Sequence, residues 1–136
     1  ITTTVKTEDN SIWKAFTHVS GGTYEYVAGE KDSSDKVFLL SLEEAMKYCG
    51  FSSIDDSWEN PSSKLLVKPT KYAVAQGVNA DDDTGCGLWW LRSPGYSSDE
   101  ASIVDHPGSV FDDLVGFVHI AVRPAFWLDL NAVPNT

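Results

Sequence analysis

Trp89-Trp90-Leu91-Arg92-Ser93-Pro94-Gly95 and Val122-Arg123-Pro124-Ala125 are the two motifs that decide the fold of this chain. The two arginines of the chain lie one in each motif. The 26 residues between the motifs, 96–121, contain no lysine, arginine, glutamine, methionine or tryptophan. We interpret the motifs as the fixed ends of a scaffold, and we call residues 96–121 the insert. A scaffold that fixes two points while the surface between them varies indicates a recognition protein rather than a catalyst.

Size and charge narrow the classes of function. The chain has 136 residues, 42% of them hydrophobic, which suits a single domain with its own core. Its formal net charge of −10 argues against binding to nucleic acid, which requires a basic face, and against binding to anionic membranes. No apolar run approaches the roughly 20 residues that span a bilayer, so we expect no direct membrane insertion.

Cysteine usage leaves the redox environment open. Cys49 and Cys86 could form one disulfide or remain two free thiols, and they are too few for a zinc site made of cysteines alone. The chain begins at Ile1 without a methionine, so we expect a processed piece of a longer protein.

The clearest local signal is a helix over residues 42–49. Ser41 and Glu44 have the spacing of a capping box, and Gly50 stands where a glycine commonly ends a helix. A second short helix is predicted over residues 71–76.

Short apolar runs predict strands elsewhere in the chain. Residues 11–28 are predicted to form two strands around a glycine turn, and residues 37–40 one buried strand. Loops are predicted at residues 29–36, 52–63 and 78–87, which are rich in polar residues. Further short strands are predicted at residues 88–91, 101–104, 110–111, 117–120 and 122–128. This order of elements indicates an α+β domain.

Four spaced motifs resemble a bacterial domain family. They are Lys36-Val37-Phe38-Leu39-Leu40-Ser41-Leu42-Glu43-Glu44-Ala45, Lys68-Pro69-Thr70-Lys71-Tyr72-Ala73, the first motif above, and Val122-Arg123-Pro124-Ala125-Phe126-Trp127-Leu128. The resemblance covers residues 36–130, and the family is similar to the formylglycine-generating-enzyme branch of the C-type-lectin fold. It implies two short helices, a small twisted antiparallel sheet and long irregular loops. Residues 1–35 are then expected to be N-terminal strands of the same domain, and residues 131–136 a polar tail.

A second resemblance concerns the insert. Variable proteins of diversity-generating retroelements use the C-type-lectin fold, and their variable codons cannot encode glutamate, lysine, methionine, glutamine or tryptophan. Of the 26 insert residues, 25 belong to the permitted set, and Glu100 is the exception. The resemblance therefore implies a surface that a retroelement diversifies.

The insert supplies the predicted binding face. Tyrosine, serine and aspartate are typical of adaptable binding surfaces, and we expect Tyr96, Phe111 and Phe117 to be aromatic anchors. The predicted ligand-binding residues are Trp90, Tyr96, Ser97, Ser98, Asp99, Ser102, Asp105, His106, Ser109, Phe111, Asp112, Asp113, Leu114, Phe117, His119 and Ile120. The residues predicted to face inward are Ala101, Val104, Gly108, Val110, Val118 and Val122.

Structural interpretations compete with functional ones at the motif residues. Neighbours on a strand face opposite sides, so one of Trp89 and Trp90 is predicted to be buried, while the other packs under a loop or stacks on a sugar. Arg92 and Arg123 are predicted to clamp backbone carbonyls or carboxylates across the sheet. The alternative for both arginines is an anionic ligand.

Acidic and histidine residues carry weaker signals. Residues 81–83 and 112–113 are aspartates, whose oxygens suit calcium, but a solvated acidic loop is the favoured interpretation. His106 and His119 could bind zinc or act as acid and base, with no third partner indicated. We predict no metal, no cofactor and no catalytic residue.

The combined prediction is a non-enzymatic recognition or adhesion module. We expect it on the exterior of a bacterium or a phage-like particle, as part of a larger surface protein. Its expected partner is a neutral or basic protein or glycan ligand on another cell or particle. One alternative is a relative of the formylglycine-generating enzymes with lost activity, because those enzymes use a cysteine pair in the C-terminal half and no cysteine follows Cys86 here. The other is a structural module of a larger surface protein.

Overall fold

Two small antiparallel sheets and three short helices form the domain in the computed structural model, which describes residues 1–19 and 21–132. The elements follow one another as β1 (Thr3–Val5), a 3-10 helix (Ser11–Ala15), β2 (Ser33–Asp35), α1 (Leu42–Cys49), α2 (Ile54–Glu59), a second 3-10 helix (Ser63–Leu65), α3 (Lys71–Ala75), β3 (Trp89–Pro94), β4 (Glu100–Val104) and β5 (Val110–Leu114). The predicted α+β class is confirmed. Among the described residues, no helix is long and apolar enough to cross a membrane.

The larger sheet joins the first motif to the insert. Its strands lie in the order β3–β4–β5, and both pairs are antiparallel. Trp89 pairs with Val104, and the register shifts between Trp90 and Pro94. Burial alternates along β3 as the sequence predicts, since Trp89 is buried and Trp90 is half-buried.

The core combines side chains from both ends of the chain. Trp13, in the first 3-10 helix, is fully buried, and its indole N–H lies 3.2 Å from both the Ser102 hydroxyl and the Pro94 carbonyl. The N-terminal residues therefore share one core with the larger sheet. The other core side chains are Phe16, Leu42, Ala45, Met46, Ile54, Leu65, Trp89, Leu91, Val104 and Val110.

Helix α1 forms for the reasons that the sequence indicates. The Ser41 side chain accepts a hydrogen bond from the Glu44 amide, and the Glu44 carboxylate accepts one from the Ser41 amide. Gly50 ends the helix with a φ of 73°, a conformation that glycine adopts without steric cost. The prediction of a capped helix over 42–49 is confirmed, as is that of the short helix after Thr70.

Helix α2 was not predicted, because the polar composition of residues 52–63 indicated a loop. The signal lies in Ser53, whose side chain caps the helix by accepting from the Asp56 amide. Two features then fix the helix against β5. The Ser57 hydroxyl accepts from the Val110 amide at 3.1 Å, and the Trp58 indole donates to the Val110 carbonyl at 2.9 Å.

Several predicted strands do not form. The two strands predicted in residues 11–28 are wrong, because a 3-10 helix begins there and the described residues after it make no strand. Residues 117–120 contain a bend instead of a strand. Apolar periodicity does not distinguish a strand from a segment that buries single side chains against a core.

The segments 37–40 and 122–128 form no strand either. They meet in one isolated antiparallel bridge between Phe38 and Ala125. Conversely, β2 forms within residues 29–36, a predicted loop, because it pairs with β1. Of the predicted tail, residues 131–132 are exposed, and residues 133–136 lie outside the described residues.

Arg92 joins four separate segments. Its Nε donates to the Lys6 carbonyl at 2.7 Å and its Nη1 to the Leu39 carbonyl at 2.6 Å. The guanidinium also forms a bidentate pair with Glu44, at 2.8 and 3.0 Å. The prediction that Arg92 clamps carbonyls and a carboxylate is confirmed.

Arg123 forms no such clamp, so the same prediction is wrong for this residue. It is exposed, and its guanidinium carbon lies 4.9 Å from the centre of the Trp89 ring. It makes no hydrogen bond or ion pair with any described residue. The second motif is held by its backbone instead, since Ala125 donates to the Phe38 carbonyl at 2.7 Å and accepts from the Phe38 amide at 3.0 Å.

We expect Arg92→Lys to lower the free energy of unfolding by about 2 kcal/mol, because an ammonium cannot reproduce the fork that reaches two carbonyls and a carboxylate. Arg123→Lys is the matched control, with an expected effect of about 0.5 kcal/mol or less at its exposed site. Urea denaturation measures both. Equal effects of the two substitutions would contradict the assignment of Arg92 as the clamp.

Candidate functional site

A cleft with a volume of about 180 Å³ lies at the end of the larger sheet where β3 turns into β4. Four parts of the chain form it: the β3–β4 turn, the first residue of β4, strand β5, and the segment that follows the first 3-10 helix. The described residues that line it are Phe16, Val19, Gly21, Tyr96, Glu100, Phe111, Asp112 and Asp113. Four of the predicted ligand-binding residues, all from the insert, thus meet in one cavity.

Gly95 allows the β3–β4 turn to close onto β5. Its amide donates to the Glu100 carbonyl at 2.9 Å. A Cβ at this position would lie 2.8 Å from both Cβ and Oδ2 of Asp112, and 2.9 Å from Cβ of Glu100. No larger residue fits without displacing the two carboxyl side chains, so the glycine sets the floor of the cleft.

Asn10 fixes the N-terminal wall of the cleft. Its fully buried side chain donates to the Glu25 and Gly95 carbonyls, at 2.7 and 2.8 Å. Its Oδ1 accepts from the Val27 amide at 2.7 Å and from the Tyr24 hydroxyl at 3.1 Å. One side chain therefore ties the N-terminal segment to the turn below the cleft.

Aromatic contacts hold the walls in place. The ring of Tyr96 meets that of Tyr24 edge to face at 5.5 Å. Phe111 packs against Phe16 at 6.0 Å and against Trp58 at 5.1 Å. Because these rings already contact one another, the cleft keeps its shape without a ligand, which lowers the entropic cost of binding.

Two carboxyl groups crowd the floor. Asp112 is only 9% exposed, and its Oδ2 accepts a hydrogen bond from the Tyr96 amide at 2.7 Å. Burial, together with the adjacent Glu100 carboxyl, raises the pKa of Asp112 from its ordinary value of 3.8 to about 7. None of the described lining residues is basic. A positively charged group in the cleft would relieve this repulsion.

The rim of the cleft exposes apolar side chains. Residues 114–118, which we call the apolar loop, follow β5 directly. Leu114, Val115, Phe117 and Val118 are all exposed there, Phe117 by 46%. The Val115 amide donates to the Asp99 carbonyl at 3.0 Å, which places the apolar loop beside the β3–β4 turn. Ser97, Ser98 and Asp99 lie in this turn, so they share the rim.

Other predicted site residues lie apart from the cleft. Asp105 and His106 are in the β4–β5 turn, where His106 Nδ1 is 3.8 Å from Asp81. His119 is beside α3, with its Nδ1 2.9 Å from the Gly77 carbonyl. Trp90 is half-buried within β3. The predicted binding face is therefore split between two ends of the sheet.

Several predictions about exposure are wrong. Ser102, Ser109 and Ile120 were predicted to meet a ligand but are buried. Ser102 instead donates to the Pro94 carbonyl at 2.8 Å. Val118 and Val122, predicted to face inward, are 74% and 64% exposed. A polar residue on a short strand satisfies its hydrogen bond inside as readily as in water, so residue type alone does not set its side of the sheet.

The structure also bears on the possible metal sites and on the state of the two cysteines. Within residues 1–19 and 21–132, no group of three or more His, Cys, Asp or Glu side chains could hold a metal ion. Asp81 Oδ1 accepts from the amides of Asp83 and Thr84, a loop-internal role. Cys49 and Cys86 are both free thiols.

Sequence reasoning missed part of the cleft. Phe16 and Val19 lie far before the insert and carried no site signal. Glu100 had one, since it is the insert residue that variable codons cannot encode. Asn10 gave no signal, because its function depends on carbonyls that only the fold brings together.

We expect Asp112→Asn to stabilise the protein by about 2 kcal/mol at pH 8 and to have little effect near pH 4. An acid whose pKa is higher in the folded than in the unfolded chain costs stability as the pH rises between these values, here from about 4 to about 7. The asparagine removes that cost, and its Oδ1 still accepts from the Tyr96 amide. Urea denaturation at both pH values measures the difference.

The control for this substitution is Asp82→Asn at an exposed aspartate outside the cleft. It should change stability by less than about 0.5 kcal/mol at either pH. A gain for Asp112→Asn that is the same at pH 4 and pH 8 would contradict the buried-carboxyl explanation.

Comparison with known proteins assigns the chain to a family. No curated protein and no solved structure matches it. Residues 1–130 match the family described as Domain of unknown function (DUF6273), and the chain therefore belongs to that family.

Proposed function

We propose that this protein is a non-enzymatic binding module that recognises a basic group flanked by apolar surface on a partner protein. The observation that carries the proposal is the exposed apolar loop beside a cleft that is walled by aromatic rings and floored by carboxyls. A cation, such as a lysine or arginine side chain, would enter the cleft and neutralise Glu100 and Asp112. Phe117 and Leu114 would cover apolar surface around it.

The apolar loop and the carboxyls of the cleft would contribute differently to binding. Exposed apolar side chains clustered at one place are typical of interaction sites, and a central aromatic residue commonly supplies much of the binding energy. The carboxyls add selectivity, since an uncharged group in the cleft leaves their mutual repulsion in place. Cys49 and Cys86 do not line the cleft, so a thiol-dependent reaction has no support there.

The resemblance to the C-type-lectin fold also implies a fold and a location for this protein. The α+β order, with three short capped helices before the larger sheet, supports a C-type-lectin-like domain. A recognition module of this kind belongs on the exterior of a bacterium or a phage-like particle, within a larger surface protein. A glycan ligand is the alternative partner, and it would use the same aromatic walls.

The burial of some insert residues limits the positions that a retroelement could diversify. Ser102, Val104 and Val110 are buried in the sheet, and substitution there would disrupt the core. Variation would be tolerated where the insert is exposed or half-buried at the end of β5 and outside the strands, in residues 97–99 and 114–119. The hypothesis thus predicts where variable codons fall.

Sequencing the genomic locus tests this. We expect a nearby reverse transcriptase and a near-identical repeat of the DNA that encodes the insert, with adenine differences concentrated at codons 97–99 and 114–119. A locus without a reverse transcriptase or a repeat would overturn diversification and leave the binding proposal standing. Differences concentrated at codons 102, 104 and 110 would overturn the placement of the variable surface.

Selection from a phage-displayed random-peptide library tests the binding proposal. We expect enriched peptides to contain lysine or arginine next to apolar residues. Phe117→Ala should weaken their binding about tenfold or more, because it removes the aromatic anchor. Tyr72→Ala, at an aromatic residue that is 75% exposed outside the cleft, is the matched control and should leave binding unchanged.

The pH adds a second readout. Binding of the basic peptides should weaken as the pH falls from 8 to 6, because Asp112 takes up a proton near pH 7 and loses its attraction for a cation. Asp112→Asn should remove most of this dependence. A selection that enriches no basic peptides, or equal effects of Phe117→Ala and Tyr72→Ala on the binding of basic peptides, would overturn the proposal.

A further inference from the structure

A second recognition surface surrounds Arg123. Two cavities, of about 380 and 220 Å³, meet at Arg123 and Pro124, and we call them together the Arg123 groove. One cavity extends to Tyr48 of α1 and the other to Lys68 before α3. None of the residues that line the cleft described above lines this groove.

The groove is basic, although the protein is acidic. Acidic residues outnumber basic ones by 20 to 10 in the chain. Yet Lys64, Lys68 and Arg123 line the groove, and its described lining contains no aspartate or glutamate. None of the three forms an ion pair with a described residue. An anionic occupant therefore gains attraction here without displacing an internal carboxylate.

Arg123 is held ready for such an occupant. Its guanidinium lies 4.9 Å from the centre of the Trp89 ring, and a cation–π contact of this kind limits the motion of the side chain. Trp89 is itself fixed by a hydrogen bond of 3.0 Å from its indole to the Leu65 carbonyl. The donors of a guanidinium placed in this way match the two oxygens of a carboxylate.

The backbone beside Arg123 favours a peptide over a small acid. Residues 122–124 are exposed, and their three C=O groups and the N–H groups of Val122 and Arg123 have no hydrogen-bond partner among the described residues. An extended chain can pair with such groups, as in strand addition to a free edge. The exposed rings of Tyr48 and Phe126 line the same groove and offer apolar contact to its side chains.

We propose that the Arg123 groove binds an extended peptide segment of a partner protein that carries an aspartate or glutamate between apolar residues. The carboxylate pairs with Arg123, with Lys64 and Lys68 on either side. The apolar side chains lie in the two cavities, and the peptide backbone pairs along residues 122–124. This surface differs in charge from the cleft, so the two sites would select partners of opposite sign.

A positional-scanning library of acetylated, amidated pentapeptides tests the proposal by fluorescence polarisation. We expect pools with Asp or Glu fixed at one position to bind at least tenfold more tightly than the matching Asn or Gln pools. Arg123→Gln should abolish that preference, and Arg123→Lys should retain part of it, since it keeps the charge but not the fork. Lys31→Gln, which removes an equal charge from an exposed lysine outside the groove, should leave the preference intact.

The remaining outcomes overturn the proposal. Equal binding of acidic and amide pools would exclude a carboxylate site. Equal effects of Arg123→Gln and Lys31→Gln would show only general electrostatic attraction. Binding of octanoate that depends on Arg123, without binding of any peptide pool, would assign the site to a small acid instead of a peptide. The cleft variants Phe117→Ala and Asp112→Asn leave these measurements unchanged, so the two proposals fail independently.

Discussion

The rest of the fold depends on the pairing of Arg92 with Glu44. Burial alone would raise the pKa of Glu44, but the hydrogen bonds from Arg92 and from the Ser41 amide outweigh it and lower the pKa. The carboxylate therefore stays ionised at neutral pH and serves two partners, the helix terminus and the arginine. Through Arg92 it also reaches the Lys6 and Leu39 carbonyls. One half-buried ion pair thus sets the position of α1, β3 and the N-terminal segment.

The cleft shows the opposite electrostatic arrangement. At Arg92, the Glu44 carboxylate has its counter-charge within the fold. At the cleft, Glu100 and Asp112 have none among the described lining residues, and Gly95 brings them close together. The protein bears the cost of this crowding in its free state, and a cationic partner would relieve it on binding. A destabilised but rigid carboxyl pair is what a site for a basic group requires.

Sequence reasoning succeeded where the signal is local. Ser41, Glu44 and Gly50 define α1 because a capping box and a glycine cap act within one turn of chain. It failed where partners lie far apart in the chain. Trp13 and Asn10 contact residues more than 80 positions away, so nothing in their own neighbourhood reveals that they anchor the sheet. Burial of Ser102 and exposure of Val118 likewise follow from the register of β4 and from the loop after β5.

The candidate site was predictable only in part, because its local composition is visible in the sequence and its long-range contacts are not. The unusual composition of the insert drew attention to Tyr96, Phe111, Asp112 and Phe117, and three of these line the cleft. The composition could not show that the remaining insert residues divide between two ends of the sheet. Arg123 was predicted to clamp backbone carbonyls or carboxylates, as Arg92 was. Among the described residues, Arg92 pairs with Glu44, whereas Arg123 forms no ion pair.

The account depends most on Asp112, whose carboxyl has a pKa of about 7 in the free protein and would bind a cation in the cleft. Carbon-13 NMR of the side-chain carboxyls measures this directly, as a pH titration in sodium chloride and again with butylammonium chloride at equal ionic strength. The claim predicts that Asp112 titrates near pH 7 in sodium chloride and at a lower pH in butylammonium. Titration near pH 4 in both salts would contradict it, and so would a midpoint near pH 7 that butylammonium leaves unchanged.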